Sequence, residues 1–294
     1  MKKIVINEEF LQQIETLQTI LKNNVAGMFG GNRKSKNFGS SCEFTDYRDY
    51  IAGDDITKID WNAYARFDKL YMKLYLDERQ MHTKIYIDAS RSMDYGEGGK
   101  AEQAVKIAAF LAYLSICEMD RVSIYVIKDR NIEEIIPAIV GKDAYFESVG
   151  KLNSIVFDGD SFISDAIVPS KIGYGDGMSV IISDFLTENN YEDAIDLLTD
   201  KKRDILCLQI LSIDETKPDI RGKVHLFDSE DGEKYYRKNV TRDIAKAYQA
   251  ALEYVIGRIE GYCNARGATY MLIEAEASLA EIFMDKFVQM EVVK

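Results

Sequence analysis

The sequence predicts an α/β protein built on a doubly wound, mostly parallel sheet of Rossmann-like type with helices on both faces. Three observations carry that expectation. From Thr83 onward, short apolar runs alternate with longer segments of helical period. The first run, Lys84-Ile85-Tyr86-Ile87, passes straight into Asp88-Ala89-Ser90-Arg91-Ser92, and open α/β sheets offer their loops to ligands at the carboxyl ends of the strands. With 294 residues, the chain removes roughly three quarters of its unfolded surface from water on folding, so a large core needs no disulfide or metal to hold it.

The elements divide into two parts, 1–82 and 83–294. The first opens with Asn7 as a helix cap and Glu8 and Glu9 at the positive end of the helix dipole. Phe10, Ile14, Leu17 and Leu21 then form one apolar stripe, which predicts an amphipathic helix that ends near Gly27 and packs on its own protein. Gly30-Gly31-Asn32-Arg33-Lys34-Ser35-Lys36 combines glycines with crowded like charges and reads as an exposed loop. From Glu43 to Met81, short aromatic-rich strands are expected around Phe44, Tyr47 and Tyr50, around Trp61, Tyr64 and Phe67, and over Leu70 to Leu76, with a turn at Gly53-Asp54-Asp55.

In the second part, strands are expected at Lys84–Ile87, Val122–Ile127, Ile135–Ile139, Ser179–Ser183, Ile205–Leu211 and Thr269–Ile273. Helices are expected at Lys100–Met119, Ile163–Val168, Glu192–Thr199 and Asp243–Arg266. Lys223–Phe227 and Glu233–Arg237 flank Asp231-Gly232, a strong turn signal, and predict a β-hairpin inserted near 223–237.

Composition narrows the function. Apolar residues at 47% and charged residues at 29% describe a globule and exclude disorder as the main theme. The formal charge is −12, and because residues 1–80 hold as many basic as acidic side chains, the whole excess lies in the remainder. Such a surface repels nucleic acid and anionic lipid and favours proteins or cations as partners, even with the small basic cluster at Arg33, Lys34 and Lys36. Cys42, Cys117, Cys207 and Cys263 are scattered with no C-x-x-C spacing, which fits a reducing cytoplasm. Met1-Lys2-Lys3-Ile4-Val5-Ile6 starts like an export signal, but Asn7-Glu8-Glu9 cuts the apolar run short, and no apolar run reaches the length of a membrane span.

The chemistry concentrates where strands end. Asp88, Ser90 and Ser92 place one carboxylate and two hydroxyls in a single turn, hard oxygen donors that suit a small divalent cation such as Mg²⁺. The fourth strand ends in Asp184, so a strand order that sets the first and fourth strands side by side brings the two carboxylates together. Asp158-Gly159-Asp160-Ser161 supplies a third loop with another hydroxyl. The simpler alternative is that Ser90, Ser92 or Asp94 caps the following helix, and that Ser161 caps the helix near Ile163.

Asp88, Ser90, Ser92, Ser161 and Asp184 together resemble the metal-ion-dependent adhesion site of von Willebrand factor A domains. Upstream, Gly39-Ser40-Ser41-Cys42-Glu43-Phe44, Tyr47-Arg48-Asp49-Tyr50, Gly53-Asp54-Asp55-Ile56, Ile59-Asp60-Trp61-Asn62-Ala63 and Ala65-Arg66 are similar to the signature of the bacterial domain-of-unknown-function-58 family, which carries a von Willebrand A-like unit behind it. The resemblance spans the chain from about Gly30 to the last strand. It implies that Ser90, Ser92 and Ser161 ligate one cation (Mg²⁺, or Mn²⁺ or Ca²⁺) directly, while Asp88 and Asp184 hold it through water. It also implies that a protein partner fills the open position with an acidic side chain, so that metal and partner bind cooperatively. Ser161 departs from the threonine usual in that loop. The resemblance further implies a non-enzymatic adaptor for a MoxR-type AAA+ ATPase, working in assembly or maturation of other proteins.

Two other classes stay open at this level. A Mg²⁺-dependent phosphoryl-transfer or hydrolase enzyme with Asp88 as nucleophile is disfavoured because the second residue after Asp88 is Ser90, not a second aspartate. A P-loop is excluded because Gly99-Lys100 is followed by Ala101. A scaffold that binds no metal is the third class. Arg48, Asp60 and Arg66, among large rings, read either as internal salt bridges or as part of a docking face for the ATPase. His82 and His225 have no neighbours that suggest a metal triad or a catalytic base, and both read as structural.

Overall fold

The computed structural model describes residues 6–24, 44–51, 54–75, 80–94, 99–168, 177–187, 189–218, 222–227 and 235–287. The chain separates into two compact units, 26–80 and the remainder, with Met1–Val25 belonging to the larger one. The boundary therefore differs from a simple division at 82. The helix α1 (Glu8–Asn24) goes with the sheet because its stripe of Phe10, Ile14, Leu17 and Leu21 is buried there, and because Ile6 exchanges backbone hydrogen bonds with the Asn153 amide. Asn7 caps this helix as expected, its Oδ1 accepting from the Phe10 N–H at 2.9 Å. The loop Gly30–Lys36, Cys42 and the glycines of 96–98 lie outside the described residues.

In the smaller unit, β1 (Phe44–Asp49) pairs antiparallel with β2 (Tyr71–Tyr75). Between them Trp61–Phe67 is a helix, α2, where the aromatic content predicts a strand. Trp61, Tyr64 and Phe67 recur every third residue, a spacing that also fits a helix, and the preceding residue decides the matter. Asp60 adopts extended backbone and its carboxylate accepts from the N–H groups of Asn62 and Ala63, which satisfies donors that only a helix start leaves free. The same carboxylate accepts from the Tyr47 hydroxyl at 2.8 Å, which holds its pKa down at about 2. Arg48 clasps Asp54 in a two-pronged pair with both contacts at 2.7 Å, closing the expected turn from within this unit.

In the larger unit the sheet runs β10-β7-β6-β3-β4-β5. Its members are β3 (His82–Asp88), β4 (Arg121–Lys128), β5 (Asn131–Ile139), β6 (Met178–Ser183), β7 (Asp204–Leu211) and β10 (Thr269–Glu274). All neighbours are parallel except β5, an antiparallel edge whose Pro137 needs no ladder donor. The six expected strands are these six, each a residue or more longer. The inserted hairpin also forms, β8 (Gly222–Phe227) against β9 (Tyr235–Val240), with its turn outside the described residues.

Helices cover both faces. On one, α3 (Lys100–Cys117) is apolar nearly all round and buried from Lys100 to Ile116 apart from Glu102 and Lys106, as a helix must be when a sheet and other helices surround it. On the other, Tyr86, Ile181 and Cys207 alternate out of the sheet into a core with Ile163 of α5 (Ile163–Ala166), Ile195 and Leu198 of α6 (Glu192–Asp200), and Ile259 and Cys263 of α8 (Arg242–Ala265). The short helix α4 (Lys142–Ser148) has no counterpart in the expectations. Too brief to show a period, it is fixed by burial of Tyr145, whose hydroxyl donates to the Ala109 carbonyl of α3. No described helix is long and apolar enough to cross a membrane.

At the amino end of the sheet, His82 is held neutral. Burial, then the charges of Lys84, Arg203 and Arg121, lowers its pKa from 6.5 to about 4. Between those values the unfolded chain binds a proton that the folded chain refuses, so stability falls as the pH drops through that window. Urea unfolding followed from about pH 7 to about pH 4 is expected to show this loss, and His82→Gln is expected to flatten that part of the profile.

Candidate functional site

The order β6-β3 sets the first and fourth strands of the sheet, which are parallel to each other, side by side in the register Ile87 with Ile182, so that Asp88 and Ser183 end their strands together. Three loops then meet at this edge. After β3, the Ser90 N–H turns back to Asp88 Oδ1 at 3.0 Å, and the Ser90 and Ser92 hydroxyl oxygens stand 3.1 Å apart. The 158–161 loop is stitched on both sides. Arg91 N–H donates to the Gly159 carbonyl at 2.7 Å, Asp129 N–H donates to the Asp160 carbonyl at 3.1 Å, and the Asp160 N–H donates to Asp129 Oδ1 at 2.9 Å. Gly159 is required there: a Cβ would lie 2.7 Å from Lys128 Cγ and 3.1 Å from the Asp129 nitrogen.

This stitching delivers Ser161. Its hydroxyl donates to Asp88 Oδ2 at 2.7 Å, and the Ser183 hydroxyl donates to the same oxygen at 2.6 Å. Asp88 and Ser90 are wholly buried, Ser161 nearly so, and Ser92 half-buried. Neither capping alternative holds. The N-cap of α3 is Gly99, in left-handed backbone at φ +66°, that of α5 is Phe162, and neither makes a side-chain cap bond.

Asp88 has hydrogen bonds but, among these partners, no counter-charge, since Ser90 N–H, Ser161 and Ser183 are all neutral. Burial, and then the nearby charge of Asp184, pushes its pKa up, while the three hydrogen bonds oppose that rise. Asp184 is handled differently. Its Oδ2 accepts from the Lys100 ammonium at 2.9 Å and its Oδ1 from the Leu186 N–H at 3.1 Å. Lys100, the first residue of α3 and 2% exposed, also reaches Glu215 Oε1 at 2.5 Å, in the short helix α7 (Ile213–Thr216). Burial pulls the Lys100 pKa down, but the charges of Asp184 and Glu215 outweigh it and leave it raised.

The structure thus gathers Asp88, Ser90, Ser92 and Ser161 into one bonded cluster, with Asp184 beside it on a lysine. Three participants escaped sequence reasoning. Ser183 reads as the last residue of a strand, and Lys100 only as the start of a helix and in the rejection of a P-loop. Glu215 carries the single available signal, a Ser212-x-x-Glu215 capping box that does form. No group of three or more His, Cys, Asp or Glu side chains placed to hold a metal occurs among the described residues, so any cation here would depend on hydroxyl oxygens.

The donors fit a small cation. Oxygen ligands at about 2.1 Å in an octahedron lie about 3.0 Å from their neighbours, close to the Ser90–Ser92 separation of 3.1 Å. Each hydroxyl that donates to Asp88 keeps its lone pairs for another partner.

A mostly parallel sheet with a hydroxyl-lined carboxylate at its switch point defines an α/β domain of doubly wound type. Residues 46–254 match the family described as "Protein of unknown function DUF58", and the chain belongs to that family. It is 25% identical over 228 residues to the uncharacterized protein Rv1480 of Mycobacterium tuberculosis and to the uncharacterized protein Mb1516 of Mycobacterium bovis, covering 74% of this chain and 70% of each relative. Among solved structures it is similar to the conserved hypothetical protein BatB from Bacteroides thetaiotaomicron, with 12% identity, 73% of this chain and 100% of that one covered, and a TM-score of 0.41. It is also similar to the SpRpn10 VWA domain, at 12% identity, 71% and 95% coverage, and a TM-score of 0.38.

Gly159→Ala forces Lys128 and the Asp129 backbone away from the loop that carries Ser161. Overpacking of this kind is expected to lower stability by about 1–3 kcal/mol, measurable by urea denaturation.

Proposed function

We propose that the carboxyl edge of the sheet is a protein-binding face that holds one divalent cation, Mg²⁺ or else Mn²⁺ or Ca²⁺, and recognises an acidic side chain of a protein partner. The observation that carries this reading is the spacing of the Ser90 and Ser92 hydroxyls, 3.1 Å apart in the same cluster as the buried carboxylate of Asp88. In this reading Ser90, Ser92 and Ser161 ligate the cation directly and Asp88 holds it through water. Asp184, whose oxygens are engaged by Lys100 and Leu186, contributes its charge from further away. A site with so little formal charge binds a dication weakly, and an incoming carboxylate supplies what is missing, so each ligand strengthens the other.

The protein acts by binding, not by catalysis. Both oxygens of Asp88 accept hydrogen bonds and the residue is wholly buried, which opposes its use as a nucleophile on a phosphoester. Membership of the DUF58 family, together with the resemblance of its signature to proteins that accompany MoxR-type AAA+ ATPases, supports such an ATPase as the partner and a role as adaptor in assembly or maturation of other proteins. The buried Cys207 and Cys263, which form no disulfide, are compatible with a cytoplasmic setting.

Calorimetric titration with Mg²⁺ and Mn²⁺, alone and with a peptide bearing an aspartate, tests the reading. Binding is expected to tighten with the peptide and to vanish in Asp88→Ala and in Ser90→Ala/Ser92→Ala, with the circular dichroism of the fold retained. Absence of heat from the unaltered protein under both conditions would contradict it.

A further inference from the structure

We propose that Lys100 is a built-in rival of the dication: by occupying Asp184 and Glu215 it leaves Asp88, alone of these three carboxylates, with only neutral hydrogen-bond partners to face the cation, and so keeps cation affinity low until a partner's acidic group arrives. This rests on the metal-binding reading above and adds a residue that sets its affinity.

Helix chemistry does not account for a lysine at this position. The first residue of an 18-residue helix lies at the positive end of the dipole, where a cation is disfavoured, and burial at 2% exposure adds a desolvation cost. The two carboxylates offset both. Nζ meets Asp184 Oδ2 at 2.9 Å and Glu215 Oε1 at 2.5 Å. The remaining oxygens are occupied as well. Asp184 Oδ1 accepts from the Leu186 N–H, and Glu215 Oε2 accepts from the Ser212 N–H at 2.8 Å and the Ser212 hydroxyl at 3.1 Å. Gln209 Nε2 donates to the Asp184 carbonyl at 2.7 Å and fixes the backbone that presents the carboxylate.

Every oxygen of Asp184 and Glu215 therefore has a donor, whereas Asp88 has three neutral donors and no cation among its hydrogen-bond partners. With Asp88 ionised, the four charged side chains sum to two negative charges, the amount one dication cancels. Removing the ammonium frees Asp184 to join the cation's shell and deletes a positive charge from its surroundings, and both effects tighten binding.

Mn²⁺ binding by the full chain, measured by calorimetry and by the Mn²⁺-dependent shift in melting temperature, tests this on Lys100→Met, Lys100→Arg and the charge-balanced Lys100→Met/Glu215→Gln. The expected result is about tenfold tighter Mn²⁺ binding, or more, in both variants that lack the lysine, with Lys100→Arg close to the unaltered protein. Lys100→Met is expected to melt lower without metal and to regain the loss as Mn²⁺ is added. The double variant, which leaves no uncompensated third carboxylate, keeps the test available if Lys100→Met alone folds poorly. If the unaltered protein binds Mn²⁺ and neither lysine-free variant binds it more tightly, the role of Lys100 is overturned while the metal site stands. If no form binds Mn²⁺, the metal reading fails and this inference with it.

Discussion

Ending the central strand β3 in a buried carboxylate obliges everything around Asp88 to compensate it, because an ionised group removed from water must recover its solvation from fixed dipoles or from a counter-ion. The fold supplies the dipoles. Ser90 N–H, the Ser161 hydroxyl and the Ser183 hydroxyl come from three different segments and meet on the two oxygens of one side chain. The side-by-side pairing of β3 and β6 places Ser183, and the cross-links at Gly159 and Asp160 place Ser161. The dipoles do not balance the charge, and the pKa of Asp88 stays raised. In the proposed reading a dication would supply the counter-charge that these neutral partners do not.

A second carboxylate at the same edge meets the same requirement by another route. Asp184 takes a lysine from the start of α3, and Glu215 shares it. One edge of one sheet thus carries a closed ion-pair cluster beside a carboxylate with neutral partners. The contrast separates the two groups, with Lys100, Asp184 and Glu215 joining α3, the loop after β6 and α7, while Asp88 and its serines form the neutral cluster to which the proposed function assigns recognition. A surface with a formal charge of −12 does little to attract an acidic partner at long range, so a captured cation would have to supply the local attraction.

Much of this was legible in the sequence, and the failures have physical causes. The six strands announce themselves because a parallel strand covered on both faces is apolar throughout, as Ile85-Tyr86-Ile87 and Val180-Ile181-Ile182 are. Asp88, Ser90 and Ser92 were visible because a local turn brings neighbours in sequence together, and Asp184 because it directly follows such a strand. The α2 helix was misread because Trp61, Tyr64 and Phe67 carry strand-favouring side chains at helical spacing, and only the capping by Asp60 discriminates. Lys100 was missed because its partners lie 84 and 115 residues away, and no local pattern records a contact of that range.

The claim beneath all of this is that the Asp88 cluster is a cation site. Anomalous diffraction from crystals of the protein equilibrated with Mn²⁺ tests it most directly. The account predicts a single strong peak about 2.1 Å from the Ser90 and Ser92 hydroxyl oxygens, with Asp88 one water away and Lys100 still on Asp184. A peak only elsewhere, or no peak at that edge at saturating Mn²⁺ with the Lys100 ammonium moved onto Asp88, would contradict it.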